Sequence, residues 1–297
     1  MITTNSATEL NLATLIFSSI AKAKTDTGLS YLGNINISSK LAKNGKVSHQ
    51  NTYGIYLSPA STSGYNVCSH STPECRLACL ATSGRAAMDL IAGTDIIKNS
   101  RLLKTRLFHE NTNFFMQWLI AEIKQYQAKA VRDGYGFSIR LNLTSDIDYS
   151  RIFVNGKNIY KIFKDVNFYD YTKNPGKFDN KPLNYHLTFS YSGLNWQESK
   201  LLLEQGNNIA VVFNIKKNKP LPITFAGYRV SDGDITDYRI GDGKGLIIGL
   251  RFKEIADKKV SMLLKQKSAF IVQEFDKRCE YNTNNNVLEE NNVLVSV

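Results

Sequence analysis

The chain is 297 residues long, 42 % hydrophobic and 21 % charged, enough apolar material for one large domain or two modest ones. It holds no run near the ~18 apolar residues of a membrane-spanning helix, and its first residues lack the basic flank and apolar block of a secretory signal. A formal net charge of +11 favours polyanionic partners, nucleic acid first and phosphate-bearing small molecules second, with no membrane in view.

Residues 9–24 place Leu10, Leu12, Leu15, Ile16, Ile20 and Ala21 at helical spacing. Residues 25–50 are rich in Gly, Asn, Ser and Lys and read as loops around a short strand over 31–37. Within them Lys40, Lys43 and Lys46 form a basic cluster, explained equally by a solvated face or a phosphate contact. A strand over 52–57 ends at Ser58-Pro59 and leads into a cysteine-bearing loop. A long helical region over 94–132 follows, with a break expected near Asn111-Thr112-Asn113.

Thereafter strands are expected over 137–143, 166–171, 185–189, 209–213, 223–230 and 246–250. Helices are expected between several of them, over 150–163, 195–205 and 254–264. This alternation predicts an α/β fold: a partial or complete (β/α) barrel-like parallel array with the cysteine loop after its first strand. An open doubly wound sheet predicts the same placement of polar strand ends and stands as the alternative. The organisation read from composition is an N-terminal helix-and-loop extension over 1–50, a single α/β domain over 51–275, and an Asn-rich frayed tail over 276–297.

Three of the four cysteines, Cys68, Cys75 and Cys79, fall within twelve positions. Cys75 and Cys79 share a face if helical, and Cys68 precedes a Pro-containing turn that folds it back toward them. Clustered cysteines without an export signal indicate the reducing cytosol, so the chain is expected to be cytoplasmic and free of disulfides. Three convergent thiolates are metal ligands for Zn2+, with His70 as a fourth donor, or for an iron–sulfur cluster. Three buried small hydrophobes are the plain alternative. Cys279, far from the trio, reads as an incidental thiol.

Two further constellations carry chemistry. Asp232, Asp234, Asp237 and Asp242 put four carboxylates in eleven residues, which repel unless a cation, an arginine or protons offset them. Mg2+ would do so, and so would Arg239. The second set sits at strand ends. Alternation points Tyr169 and Tyr171 one way and Asp170 the other, with Lys173 beyond them as a phosphate contact. Arg140 and Asn142 share a face of the preceding strand, and an inward arginine there needs Asp146 or a ligand as its anion. Ser190 and Asn214 end the next strands as substrate-binding candidates. Asp146, Asp170, Lys173, Asp232, Asp234 and Asp237 are the catalytic candidates; Arg140, Asn142, Tyr171, Ser190, Asn214 and Arg239 are the substrate-binding ones. No phosphate-binding P-loop, dinucleotide fingerprint or nucleophile elbow is present, which disfavours the familiar NTPases and hydrolases.

The layout of first strand, cysteine loop, long helix and repeated strands is similar to that of the radical S-adenosylmethionine enzymes. It departs from them in spacing, with six and three intervening residues where three and two are usual, and it lacks their glycine-glycine-glutamate segment. The similarity implies S-adenosylmethionine as a cosubstrate. Over about 57–250 the chain also resembles the phage gene product 88 domain family. That resemblance rests on Leu57-Ser58-Pro59-Ala60, Asn66-Val67-Cys68, Cys75, Cys79-Leu80, Ser83-Gly84-Arg85, Ser145-Asp146, Phe168 through Lys173, Asn184 through Ser190, and Asp232-Gly233-Asp234 with Asp237. It implies a phage or mobile-element setting and marks the same residues as the site. The expected function is a metalloenzyme acting on a nucleotide or nucleic acid. The alternatives are a DNA-binding or replication protein stapled by zinc, and a Mg2+-dependent nuclease.

Overall fold

The computed structural model describes residues 19–282 except Asn36, Leu80, Thr82 and Ser83. In chain order the elements are α1 (Ile20–Thr27), β1 (Gly33–Ile35), α2 (Ser39–Ser48), β2 (Gln50–Ile55), α3 (Pro73–Leu77), α4 (Arg85–Ile91), α5 (Ile96–Glu110) and α6 (Thr112–Arg132). They continue with β3 (Gly136–Arg140), α7 (Ile159–Ile162), β4 (Asn167–Thr172), β5 (Tyr185–Ser190), α8 (Trp196–Glu204) and β6 (Asn208–Asn214). Last come β7 (Thr224–Phe225), β8 (Tyr228–Asp232), β9 (Ile247–Arg251), α9 (Lys258–Lys267), β10 (Ile271–Gln273) and β11 (Cys279–Glu280). The first half of the helix expected over 9–24, and the tail beyond residue 282, lie outside the described residues.

Four elements differ from the sequence reading, each for a local reason. The loop expected before β2 holds α2. Ser38 caps it by accepting the Leu41 N–H at 3.3 Å, and Leu41 and Asn44, three apart, are both fully buried. Packing of that face outweighs a composition poor in helix formers. The helix expected over 150–163 shrinks to α7, because Asn155 and Gly156 take positive φ (49° and 74°) and turn Val154 back onto Lys157. The strand expected over 223–230 is a hairpin, turned at Ala226 and Gly227 (φ 52° and 83°). Within the expected tail, Cys279–Glu280 form β11 and join the sheet, Cys279 pairing with Phe225 of β7.

The break in the long helical region falls where expected. Asn111 ends α5 and caps α6, its side chain accepting the Phe114 N–H at 3.4 Å. Phe115, Trp118, Leu119 and Ile123 then form one buried stripe of α6. They pack on Tyr53 and Ile55 of β2 and Ile139 of β3 in the larger core, each such side chain stabilising by about 1.5–3 kcal/mol. A second core gathers Phe189, Ile209, Val211, Phe213, Phe225 and Ile247 with Leu202 and Leu203 of α8.

The eleven strands form one mostly parallel sheet in the order β1-β2-β3-β4-β5-β6-β9-β8-β7-β11, with β10 beside β6. From β2 to β9 the order never reverses, so there is no switch point of the doubly wound kind, and the sheet is open rather than a closed barrel. It is nevertheless curled. Asn44 donates to Thr52 of β2 at 3.0 Å and accepts from Thr236 and from the Asp237 N–H, just past β8, at 3.0 and 3.1 Å. β2 and β8 are six strand steps apart along the sheet, ~29 Å if it were flat, whereas the four residues after Asp232 reach only ~14 Å. The loop after β8 therefore bridges the mouth of an arc. Where β6 passes from pairing with β5 (at Asn208–Ala210) to pairing with β10 (at Val212–Asn214), the strands splay at their C-terminal ends.

Candidate functional site

The cysteine segment is shaped by local hydrogen bonds. Asn66 accepts the Cys68 N–H at 3.0 Å, and the Cys68 carbonyl accepts the Ser71 N–H at 3.0 Å. Thr72 caps α3 by accepting the Cys75 N–H at 3.1 Å, with Pro73 at the first helical position. Cys75 thus lies in α3 and Cys79 just past its end. The Asp146 N–H donates to the Val67 carbonyl at 2.7 Å, and the Cys68 Sγ lies 3.8 Å from the Thr144 carbonyl. Those two contacts fasten the cysteine segment to the turn after β3.

All three cysteines line one cavity of about 240 Å³. Most of its remaining wall is the C-terminal ends of the parallel strands: Arg140 and Asn142 through Asp146 at the end of β3, Tyr171 to Lys173 at the end of β4, Ser190 and Tyr191 at the end of β5, Val212 of β6, Asp234 after β8, and Arg251 to Lys253 at the end of β9. This is where parallel α/β sheets gather their chemistry. Burial pushes the Cys68 thiol up to about 11 and raises Cys79 as well, so both thiols are held protonated at neutral pH.

Around the cavity the charges are matched. Asp146 accepts from Lys177 Nζ at 2.6 Å, from Thr172 Oγ1 at 2.8 Å and from the Lys173 N–H at 3.0 Å. Arg140 is buried, stacks on Tyr171 and Tyr169 with its guanidinium 4.8 and 5.9 Å from their ring centres, and pairs with Asp237. The sequence reading offered Asp146 or a ligand as its anion; the curl of the sheet supplies Asp237 instead. Asp170 points to the opposite face, as alternation requires. There it accepts from the Asn142 N–H (2.8 Å), Asn142 Nδ2 (3.2 Å) and the Tyr185 hydroxyl (3.1 Å). Asn142 lines the cavity along with Arg140 and at the same time donates to Asp170 behind it. Burial raises the Asp170 carboxyl to about 6, against the pull of Arg140. It does not line the cavity.

The aspartate-rich segment diverges to three arginines. Asp232 and Asp234 meet Arg251 at 2.8 and 3.4 Å, Asp237 meets Arg140, and Asp242 meets Arg239 at 3.1 Å. Repulsion among the four carboxylates is thus offset by guanidinium groups. Of the other expected site residues, Ser190 lines the cavity, Arg239 is buried outside it, Asn214 bonds Gln273 at 2.9 Å and lines neighbouring cavities, and His70 is exposed beside Ser69.

Several residues at the site had no sequence signal. Lys177 sits in a short turn thirty-one residues from its partner Asp146, and Phe270, whose ring lies 5.2 Å from Lys173 Nζ, comes from the turn before β10. Lys253 reaches the cavity only because its strand ends there. Among the described residues, no three His, Cys, Asp or Glu side chains stand close enough to hold a single ion, and no helix is long and apolar enough to cross a membrane.

The family model described as Gene product 88 matches residues 25–274. The chain belongs to the gene product 88 family. The match runs from within α1 to the residue after β10, so the family domain includes α2, whose Asn44 secures the loop after β8, and the whole cysteine-lined cavity. No curated protein and no solved structure matches the chain. For this gene product 88 domain the site is therefore read from its own geometry.

Proposed function

We propose that the cavity is the active site of a metalloenzyme in which Cys68, Cys75 and Cys79 hold an iron–sulfur cluster and the strand ends bind a nucleotide or nucleic acid. The observation that carries this reading is the lining of one cavity by all three cysteines and the polar ends of the parallel strands. Soft thiols select zinc or iron–sulfur centres over hard cations. One zinc ion, with Zn–S bonds of about 2.3 Å, draws its sulfurs to within ~4 Å of one another, and no such three-ligand grouping occurs among the described residues. A four-iron cluster accommodates thiolates that are spaced more widely. Held by three thiolates, it would supply one open iron for a small molecule, S-adenosylmethionine in this reading, and a site for one-electron chemistry.

The chain's own groups have separate tasks. Lys173 brings positive charge to the cavity wall for a phosphate-bearing substrate, the charge of Arg140 being met by Asp237. Asp146, gripped by Lys177, keeps the turn after β3 against the cysteine segment. The stacked pair of Arg140 and Tyr171 fixes the wall between them. The Mg2+-nuclease alternative has less support, because the carboxylates it needs already meet arginines.

Anaerobic reconstitution with iron and sulfide, followed by metal and sulfide analysis and a visible spectrum, tests the proposal. Bound iron and sulfide with charge-transfer absorption, lost in Cys68→Ser, Cys75→Ser and Cys79→Ser, is the expected result. Zinc without sulfide moves the reading to the zinc-stapled binding protein. No metal at all, with stability unaltered by the three substitutions, overturns both.

A further inference from the structure

The cysteine-lined cavity does not end at its own wall. Asp234, Arg251, Phe252 and Lys253 also line a second cavity, of about 590 Å³, so the two adjoin across these side chains. The second cavity is bordered by Lys43 of α2 and by Lys216 and Lys217, which follow β6. It also holds four acidic residues, and each is paired with a cation. Asp234 meets Arg251 at 3.4 Å, Asp237 meets Arg140, Glu254 meets Lys258 and Lys265 at 2.6 and 2.7 Å, and Glu274 meets Lys219 at 3.1 Å. Lys216 and Lys217 are exposed and form no ion pair among the described residues, while Lys43 Nζ donates only to the Asp234 carbonyl, at 3.4 Å. These lysines bring positive charge to the rim that no ion pair among the described residues cancels.

We propose that the second cavity is the track for the phosphates of a single-stranded polynucleotide, one nucleotide of which enters the cysteine-lined cavity. The proposal rests on the reading of that cavity as the active site. Exposed lysines on flexible stems suit sequence-independent phosphate contacts, whereas the arginines nearby are fixed in ion pairs. At about 240 Å³ the inner cavity excludes a duplex, so a nucleotide must leave its stack to enter. Phe252, which lines both cavities, offers a ring at the junction on which a base can stack. The chain's charge of +11 draws such a strand in.

Fluorescence anisotropy with a labelled 12-nucleotide single strand, across a salt series, tests this. The variant Lys43→Glu/Lys216→Glu/Lys217→Glu should weaken binding on the order of 100-fold at low salt and reduce the salt slope by about 2. A control with the same change in net charge, Lys22→Glu/Lys129→Glu/Lys200→Glu, alters lysines on α1, α6 and α8 outside both cavities and should stay near wild type. Equal losses in both variants, or no binding by wild type, overturn the track. So does a finding that the rim lysines govern binding to phosphatidylserine vesicles and not to the strand. Iron and sulfide content measured on the same preparations separates the two readings. A rim variant that loads metal normally but loses the strand supports the track. Strand binding that persists unchanged in the rim variant sinks the track while leaving the metal reading standing.

Discussion

Arg140, the last residue of β3, and Asp237, in the loop after β8, form a buried ion pair across ninety-seven residues of chain. Neither strand neighbours the other in the sheet. The pair, with Asn44 holding Thr236 and Asp237 beside it, closes the arc without a strand ladder. The cavity walls on either side of the arc are positioned by this closure.

Removing one partner of a buried pair leaves the other charge uncompensated, at a cost of about 3–5 kcal/mol. Asp237→Ala is therefore expected to destabilise the fold by that amount in urea unfolding. Arg140→Met/Asp237→Ala should recover part of the loss, and a double-mutant cycle measures the coupling. Additive losses would show that the pair does not act as a unit.

Asp170 carries a pH signature. Its carboxyl titrates at about 6 in the folded protein because of burial, against about 3.9 unfolded. The native state thus holds more protons between roughly pH 4 and 6, and stability attributable to this group falls as pH rises through that window. The difference integrates to about 3 kcal/mol. Unfolding free energy measured from pH 4 to 7 should decline less steeply in Asp170→Asn than in wild type. Parallel curves would count against the raised value.

The thiols predict the direction of metal uptake. Cys68 is held protonated up to about pH 11 and Cys79 is raised too, so loading must release protons and should improve as pH rises from 6 to 8.5. Proton release in weakly buffered anaerobic solution reads this directly. The unloaded protein should also react slowly with iodoacetamide at pH 7, since the thiolate is the nucleophile. Fast alkylation of Cys68 would contradict its burial.

Lys177 is 6 % exposed and grips Asp146. Lys177→Met leaves that carboxylate unpaired beside the cavity, and a loss of about 3 kcal/mol or more is expected. Because Asp146 also anchors the cysteine segment through its N–H, retention of iron should fall even where the variant stays folded. Asp146→Asn/Lys177→Met, with no charge left to bury, should restore stability more than metal retention.

Glu122 of α6 accepts from the Leu32 and Gly33 N–H groups, the Tyr53 hydroxyl and Trp118 Nε1, at 2.8–3.1 Å. Every partner is a donor, so Glu122→Gln turns an amide N–H2 toward donors and should cost about 2–4 kcal/mol. Trp118 fluorescence during urea unfolding checks it, and a midpoint equal to wild type would show the carboxylate is dispensable.

Much of the chain's architecture is local and so readable from residues alone. The strand ends at Thr172, Ser190 and Arg251 follow from apolar runs meeting polar residues, while β3 stops at Arg140, short of the expected 143; Asn111 announces its own helix break through its capping chemistry. Alternation put Asp170 and Tyr171 on opposite faces before any contact was known. Some signals were present but outweighed by a longer pattern, as with the Asn155-Gly156 turn inside an apparent helix. What sequence alone could not determine was partnership. Arg140 with Asp237, Asp146 with Lys177, and Arg251 with Asp232 depend on how far the sheet curls, and that curl is set by Asn44 on a helix whose composition hid it. A side chain's chemistry belongs to its residue, but its charge partner is fixed by distances that only the folded backbone defines.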